Sequence, residues 1–262
     1  GSLGKIFGSL PDGTSPRFVF AFAETPLKTL PSELFSGIDG TLSEGMFAHT
    51  FGGCTELTDL PSDLFAGISG APADLIFFGT FIDCINLKEI PSALFAGISG
   101  APADYMFTGT FSGCSGLTSI PEDLFAGING APANNMFDRT FSGCTGLTGE
   151  IPAGLFGDLS GAPAEYMFQQ TFSGCAGLTG EIPIGLFGDL SGEPASNMFS
   201  QTFYRCSGLT GESARMPDGQ YLYDYFNTAT SSEVGGMYTN CTGLKDYSYI
   251  PTVWGGLGET RP

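Results

Sequence analysis

The chain has 262 residues, of which 42% are hydrophobic, so it can bury a core and lacks the composition of a disordered protein. It carries 27 acidic and 9 basic residues, a formal net charge of −18. A surface of that charge repels phosphate groups, which argues against nucleic acid or anionic lipid as partners. No apolar run approaches the roughly 18 residues of a membrane-spanning helix, so we expect no membrane insertion. We also expect any export signal to lie upstream of Gly1.

Seven cysteines reveal an internal repeat, because they follow one another at spacings of 30, 30, 30, 31, 31 and 35 residues. Three columns of phenylalanine recur with the same period. The cysteines are Cys54, Cys84, Cys114, Cys144, Cys175, Cys206 and Cys241. The first phenylalanine column is Phe35, Phe65, Phe95, Phe125, Phe156 and Phe187; the second is Phe47, Phe77, Phe107, Phe137, Phe168 and Phe199; the third is Phe51, Phe81, Phe111, Phe141, Phe172 and Phe203. A core built from stacked repeats is therefore expected.

Each repeat is predicted to begin with a short strand followed by a short helix. Residues 117–120 are a short apolar stretch typical of a strand. Pro121 ends this strand and suits the first position of a helical turn, where Glu122 is favourable near the positive end of the helix dipole. Glycines at 127 and 130 end the helix.

A second short helix is predicted from residue 101 to residue 113, because Phe107 and Phe111 are four residues apart and share one helix face. Paired strands lie about 4.8 Å apart, whereas packed helices need about 8–10 Å, so a coil with strands on one side and helices on the other must bend. The predicted fold is an α/β solenoid, a right-handed leucine-rich-repeat-type arc with short parallel strands on its concave side and short helices on its convex side.

The frame Phe111-x-x-Cys114-x-x-Leu117-x-x-Ile120-Pro121 resembles the BspA-like (Treponema pallidum type) leucine-rich repeats of bacterial surface proteins, and the resemblance extends from about Phe18 to Leu244. The resemblance implies an arc-shaped solenoid, a cell-surface or secreted location, and a role in adhesion or partner binding. The repeats depart from the ordinary pattern in length, because units of 30–31 residues exceed the roughly 20–29 of common leucine-rich repeats.

The pattern divides the chain into three parts. Residues 1–26 form a partial first coil that lacks its strand, since residues 6–10 match 155–159. Residues 27–208 hold six repeats of 30–31 residues, and residues 209–262 form a divergent, tyrosine-rich last coil and C-terminal cap. The missing strand is explained either by a cut or processing site at that point or by a partner that covers the end.

Three alternating tyrosines, Tyr221, Tyr223 and Tyr225, predict a strand with one aromatic face in this last coil. Two interpretations stay open. The tyrosines shield the end of the core as part of the cap, or they form a contact patch for a glycan or protein.

The cysteines could form disulfides, bind metal or be buried thiols. Metal sites favour short spacings such as Cys-x-x-Cys, which this sequence lacks. Equivalent positions on packed helices would be about 8–10 Å apart, beyond the roughly 7 Å limit for a disulfide. Free buried thiols are therefore predicted.

An exposed polar row is predicted to bind the ligand. Stacked carboxylates repel one another, so the row is a solvated rim, a calcium site or the docking face of a basic partner. The candidate residues are Lys28, Asp59, Lys88, Glu89, Thr118, Glu150 and Glu181, with Tyr221, Tyr223 and Tyr225 from the cap.

Threonine recurs in two further columns. The column that includes Thr58, Thr118 and Thr148 is predicted on the open sheet face, where it offers hydroxyls to a ligand. The column that includes Thr50, Thr110 and Thr171 is predicted to bond a carbonyl one turn back on its own helix.

Catalytic signals are weak, because His49 is the only histidine and no glycine-rich phosphate loop follows a strand. We expect no enzymatic activity and no cofactor. The leading hypothesis is an extracellular or bacterial cell-surface module that recognises a protein or glycan. The alternative is a structural subunit that self-associates head-to-tail through its coil ends into a fibre or layer.

Overall fold

The computed structural model describes residues 17–36, 38, 42–156 and 158–261; of the partial first coil predicted at residues 1–26, residues 1–16 lie outside this part. Hydrogen bonds join residues one repeat apart throughout the described coils. The Phe47 N–H donates to the Ile76 carbonyl and the Phe77 N–H to the Met106 carbonyl, each at 2.9 Å. Because every coil is bonded to the next in this way, the predicted repeat solenoid is confirmed.

Regular secondary structure is sparse in the described residues. Two short parallel strands, β1 (Ser160–Gly161) and β2 (Asp189–Leu190), pair with each other. The last coil contains two four-residue helices, α1 (Leu222–Tyr225) and α2 (Ser231–Val234), and a 3₁₀ helix at Thr252–Trp254. No described helix is long and apolar enough to span a lipid bilayer.

The helix predicted for residues 101–113 is wrong, because this segment is a series of overlapping turns. The Thr108 N–H donates to the Tyr105 carbonyl three residues back, whereas the next N–H, from Gly109, donates to the Asp138 carbonyl of the following coil at 2.8 Å. Tyr105, Gly109 and Gly113 have φ values of +59°, +59° and +75°, so the backbone becomes left-handed every fourth residue. A helix would use these N–H groups internally and leave none for the neighbouring coil.

The strand predicted for residues 117–120 is also wrong. Leu117 and Ile120 are buried and the two residues between them are exposed, a pattern without the period of two of a strand. A hydrogen bond of 3.3 Å, from the Thr118 N–H to the Lys88 carbonyl, joins this segment to the preceding coil. Parallel pairing occurs instead further along the repeat, near the glycines predicted to end the first helix. Examples are the bridge between Gly100 and Ile128 and the pair β1–β2.

The coils are too closely spaced for the bend that was predicted from packed helices on one side of the solenoid. Neighbouring rings are 5.5–5.8 Å apart in the second phenylalanine column from Phe47 to Phe199. They are 5.6–6.4 Å apart in the first column. Both spacings are near that of paired strands and well below the 8–10 Å of packed helices. The described repeats therefore lack the helical side from which a concave and a convex face were predicted.

The core consists of the three phenylalanine columns, which are buried along their whole length. Phe107 shows the packing: its ring lies 4.5 Å from that of Phe125 and 4.9 Å from that of Phe95, measured between centroids. Beyond the last repeat the third column continues into Tyr238, whose ring faces Trp254 at 6.4 Å. The columns therefore form one continuous interior from the first described coil to the C-terminal cap.

Buried threonines and cysteines tie each coil to the one before it. The Thr110 hydroxyl donates to the Phe77 carbonyl at 2.9 Å, and the Cys114 thiol donates to the Phe81 carbonyl at 3.0 Å. The expected threonine bond to its own segment is present as a second bond at Thr171 and Thr202. The main partner lies in the preceding coil because the close coil spacing brings that carbonyl within reach.

All seven cysteines are buried and unpaired. The expected separation of about 8–10 Å between equivalent positions was wrong, however, because the backbones of neighbouring coils are directly hydrogen-bonded. Next to Cys114, the Gly113 N–H donates to the Ser142 carbonyl of the following coil at 2.8 Å. Burial raises the pKa of the Cys84 and Cys175 thiols to about 12, so they remain protonated and poorly reactive at neutral pH.

The C-terminal segment completes the hydrogen bonds between the coils. In the 101–113 segment and its equivalents, which we call the turn ladder, N–H groups of one coil donate to carbonyls of the next. The N–H groups of the last coil have no following coil to which they could donate. The Gly236 and Tyr238 N–H groups donate instead to the Val253 and Trp254 carbonyls, at 3.2 and 2.8 Å. Carbonyls of the 3₁₀ helix thus accept hydrogen bonds from the donors that would otherwise bond a further coil.

Candidate binding surfaces

Three of the predicted ligand residues lie in one exposed column. Thr58 donates its N–H to the Lys28 carbonyl, Lys88 to Thr58, and Thr118 to Lys88, at 3.1–3.3 Å. The side chains of Lys28, Lys88 and Thr118 are exposed. Lys28 also forms a surface ion pair with Glu56 at 3.5 Å, an interaction worth less than about 1 kcal/mol.

The predicted acidic residues divide into two groups. Asp59 and Glu89 follow the exposed column and are themselves exposed; Asp59 accepts a hydrogen bond from the Thr58 hydroxyl at 2.6 Å. Glu150 and Glu181 lie further along the solenoid, where they line a groove together with Glu122. The sequence places Glu122 at the start of a predicted helix. It gives no sign that Glu122 shares a groove with Glu150 and Glu181, because it does not show which coils border the same surface depression.

This acidic groove has a volume of about 550 Å³. It contains three carboxylates from consecutive coils on an apolar floor. The lining residues are Ile120, Glu122, Glu150, Ile151, Pro152, Ala153, Glu181 and Pro183. An open groove of this kind suits a chain with basic and apolar groups better than a small buried ligand.

Glycines position two of these carboxylates. A Cβ atom at Gly180 would lie 2.7 Å from the Glu150 Cγ, and one at Gly211 would lie 2.4 Å from the Glu181 Cγ. Each glutamate side chain therefore lies across a glycine of the following coil, in space that any other residue would fill. The 31-residue repeats carry this glycine immediately before their glutamate, and the 30-residue repeats have no equivalent.

The acidic groove is not arranged as a metal site. Across the described part of the chain, no three histidine, cysteine, aspartate or glutamate side chains are grouped so that they could hold a metal ion. The carboxylates come from different coils and face an open groove. Attraction of a basic partner is the chemistry that this arrangement offers.

The tyrosines of the last coil are placed differently from the prediction. Tyr223 and Tyr225 lie in helix α1, which Tyr221 precedes, so the predicted strand is wrong. The Arg261 guanidinium lies 3.9 Å from the centroid of the Tyr221 ring, and it also bonds the Tyr223 hydroxyl. Burial raises the pKa of Tyr223, whose hydroxyl faces the Asp246 carboxylate at 3.4 Å. The Tyr221 and Tyr223 rings thus contact the chain's own C-terminal segment.

Asp138 is a polar residue that the sequence interpretation missed. It is 3% exposed, and its Oδ1 has no hydrogen-bond partner within the described residues, while Oδ2 accepts from Arg139 at 2.7 Å. Burial raises the pKa of this carboxyl to about 6, against the smaller opposing effect of Arg139. The other repeats hold neutral residues at this position, such as Thr108 and Gln169.

Replacing Asp138 with asparagine should stabilise the protein at pH 8 by about 1–2 kcal/mol. The folded pKa lies above the unfolded value, so the native carboxyl contributes most below pH 4 and loses this contribution as the pH rises through 6. The gain from Asp138→Asn should therefore shrink towards zero at pH 4. Urea unfolding at both pH values measures this, with exposed Asp123→Asn as the control, which should change stability by less than about 0.5 kcal/mol. A gain that is the same at both pH values would contradict the assignment.

No model of a known protein family matches the chain, and no curated protein matches it. A similar solved structure is the crystal structure of a leucine-rich repeat protein from Bacteroides ovatus ATCC 8483 at 1.19 Å resolution, with 19% sequence identity and a TM-score of 0.28. The similarity covers 75% of this chain and 47% of that protein, so the chain spans about half of its length.

Proposed function

We propose that the chain is a non-catalytic recognition module, a bacterial surface-presented or secreted leucine-rich repeat protein of the BspA-like type. It binds a protein or glycan ligand through the exposed polar row and the adjoining acidic groove. It needs no cofactor. In this proposal turns replace the short helices of ordinary repeats, and a stiff row of closely spaced coils presents the binding surface.

The acidic groove is the observation that carries the proposal. Glu122, Glu150 and Glu181 come from three successive coils and line about 550 Å³ of open space. Three carboxylates around an apolar floor give this groove a negative potential. A protein segment with basic side chains would be attracted to it, and the overall charge of −18 would accelerate its approach.

Charge reversal in the groove tests the proposal. The double variant Glu150→Lys/Glu181→Lys should lose at least about tenfold in affinity for its best ligands on arrays of basic peptides and of glycans. The control Glu165→Lys/Glu193→Lys changes the net charge by the same amount at exposed positions away from the groove, and it should lose less than about twofold. Equal losses in the two variants would mean that only the overall charge matters, and the groove assignment would fail.

Head-to-tail assembly is the second candidate function. The polarity of the turn ladder favours it, because N–H donors at one end of the stack match carbonyl acceptors at the other. The 3₁₀ helix Thr252–Trp254 opposes it by occupying two of those donors. Sedimentation velocity of concentrated protein separates the candidates: a single monomeric species supports the recognition module, and growing filaments support assembly.

A further inference from the structure

A partly exposed apolar cluster interrupts the surface of the first three described coils. We call it the His49 patch, and it consists of Phe20, His49, Phe78 and Ile82. Phe20 is 60% exposed, and the other three residues are half-buried. The Phe20 ring lies parallel to the His49 imidazole at 4.7 Å, and the Phe78 ring meets the imidazole edge-on at 5.0 Å.

The other repeats serve as an internal reference for this cluster, because they build the same core with different surface residues. Later coils have polar residues where coil three has Phe78 and Ile82. The equivalents of Phe78 are Thr108, Asp138, Gln169 and Ser200; those of Ile82 are Ser112, Ser142, Ser173 and Tyr204. The fold therefore does not require large apolar groups at these positions, and leaving them half-buried beside the exposed Phe20 marks a site of contact.

A small depression lies within the patch. It has a volume of about 140 Å³, and its lining includes Phe20, His49 and Ile82 together with the carboxylates of Glu24 and Asp83. In the described part of the chain neither carboxylate forms an ion pair. Burial lowers the pKa of His49, so the imidazole is neutral at pH 7. The depression is thus apolar with two negative charges at its rim and no positive charge.

We propose that the His49 patch is a docking site for a protein segment that presents an aromatic or long aliphatic side chain beside lysine or arginine. The apolar side chain enters the depression, and the cationic groups meet Glu24 and Asp83. The rings of Phe20 and His49 cover each other face to face. The two carboxylates favour a cationic occupant over a neutral sugar.

This site is separate from the acidic groove, because it is built by residues 20–83 and the groove by residues 120–183. The two proposals therefore fail independently. His49 is the only histidine in the chain, so its imidazole gives a unique NMR signal at the centre of the patch.

The experiment titrates ¹³C-histidine-labelled protein with the peptide acetyl-Lys-Trp-Lys-amide. We expect saturable shifts of the His49 imidazole signals, and at least about tenfold weaker binding of acetyl-Glu-Trp-Glu-amide, because its carboxylates face those of Glu24 and Asp83. Equal binding of the two peptides, or no shift with the basic one, would overturn the proposal.

The variant Ile82→Ser/Asp83→Gly removes the site, since it introduces the serine and glycine that the next coil has at the equivalent positions, Ser112 and Gly113. It should fold, because Asp83 has a φ of +58° that glycine adopts without strain. We expect it to lose at least about tenfold in affinity for the basic peptide, whereas Glu150→Lys/Glu181→Lys should retain that affinity. Unchanged binding by Ile82→Ser/Asp83→Gly would also overturn the proposal.

Discussion

Replacing Gly127 with alanine should lower the free energy of unfolding by about 3 kcal/mol. A Cβ atom at this position would lie 2.2 Å from the Ile98 carbonyl oxygen of the preceding coil, and that oxygen belongs to backbone, which cannot rotate aside. The coils would have to separate, weakening the 2.9 Å hydrogen bond from the Gly100 N–H to the Gly127 carbonyl. The expected loss combines overpacking, about 1–3 kcal/mol, with part of a hydrogen bond, about 1 kcal/mol.

Gly154 provides the matched control for Gly127. A Cβ atom there would meet nothing within 4 Å, and its backbone is not left-handed. Gly154→Ala should therefore stabilise the protein by about 0.4–1 kcal/mol, because alanine restricts the unfolded chain. Urea unfolding followed by circular dichroism measures both variants. If Gly127→Ala were as stable as Gly154→Ala, the close approach of the coils would be wrong.

Replacing Phe107 with alanine should cost about 4 kcal/mol. Its ring is fully buried, and it touches rings of both neighbouring coils, with Phe77 and Phe137 stacked at 5.5 and 5.6 Å. Truncating a buried phenylalanine removes its transfer free energy and leaves a cavity that stacked coils cannot close. Because a solenoid is stabilised by contacts between neighbours, the lesion should also weaken cooperativity between the two halves of the stack.

Two readouts check the Phe107 prediction. The midpoint of urea unfolding should fall, and the transition should broaden or split as the two halves unfold separately. Phe20→Ala is the control, because Phe20 is exposed and its removal should change stability by less than about 0.5 kcal/mol. A Phe107→Ala variant as stable as Phe20→Ala would mean that the columns do not carry the core.

The internal repeat makes core and surface separable in this protein. The phenylalanine columns keep the same residue in all six repeats and are buried. His49 and Asp138 stand at positions that vary from coil to coil, where His49 is half-buried and Asp138 is buried. The departures of single coils from their neighbours therefore direct attention to the His49 patch and to the buried carboxylate of Asp138.

Part of the candidate site could be predicted and part could not. Glu150 and Glu181 stand out in the sequence because they recur with the repeat, and they do line a common groove. Glu122 and Ile82 occur only once in their columns, so no periodicity marks them, and their roles depend on which coils share a depression. The conformation of Tyr221, Tyr223 and Tyr225 could not be predicted, because the sequence does not show that Arg261 returns to cover Tyr221.

The repeat length, the buried columns and the end of the regular array could be predicted from the residues alone, because each coil buries the same apolar positions. The backbone conformation could not be predicted in this way. Phe107 and Phe111, four residues apart, fit a helix and equally fit a ladder of turns with a left-handed residue at every fourth position. The two differ in hydrogen bonds to residues about 30 positions away, such as that from Gly109 to Asp138, and no local pattern reveals those bonds.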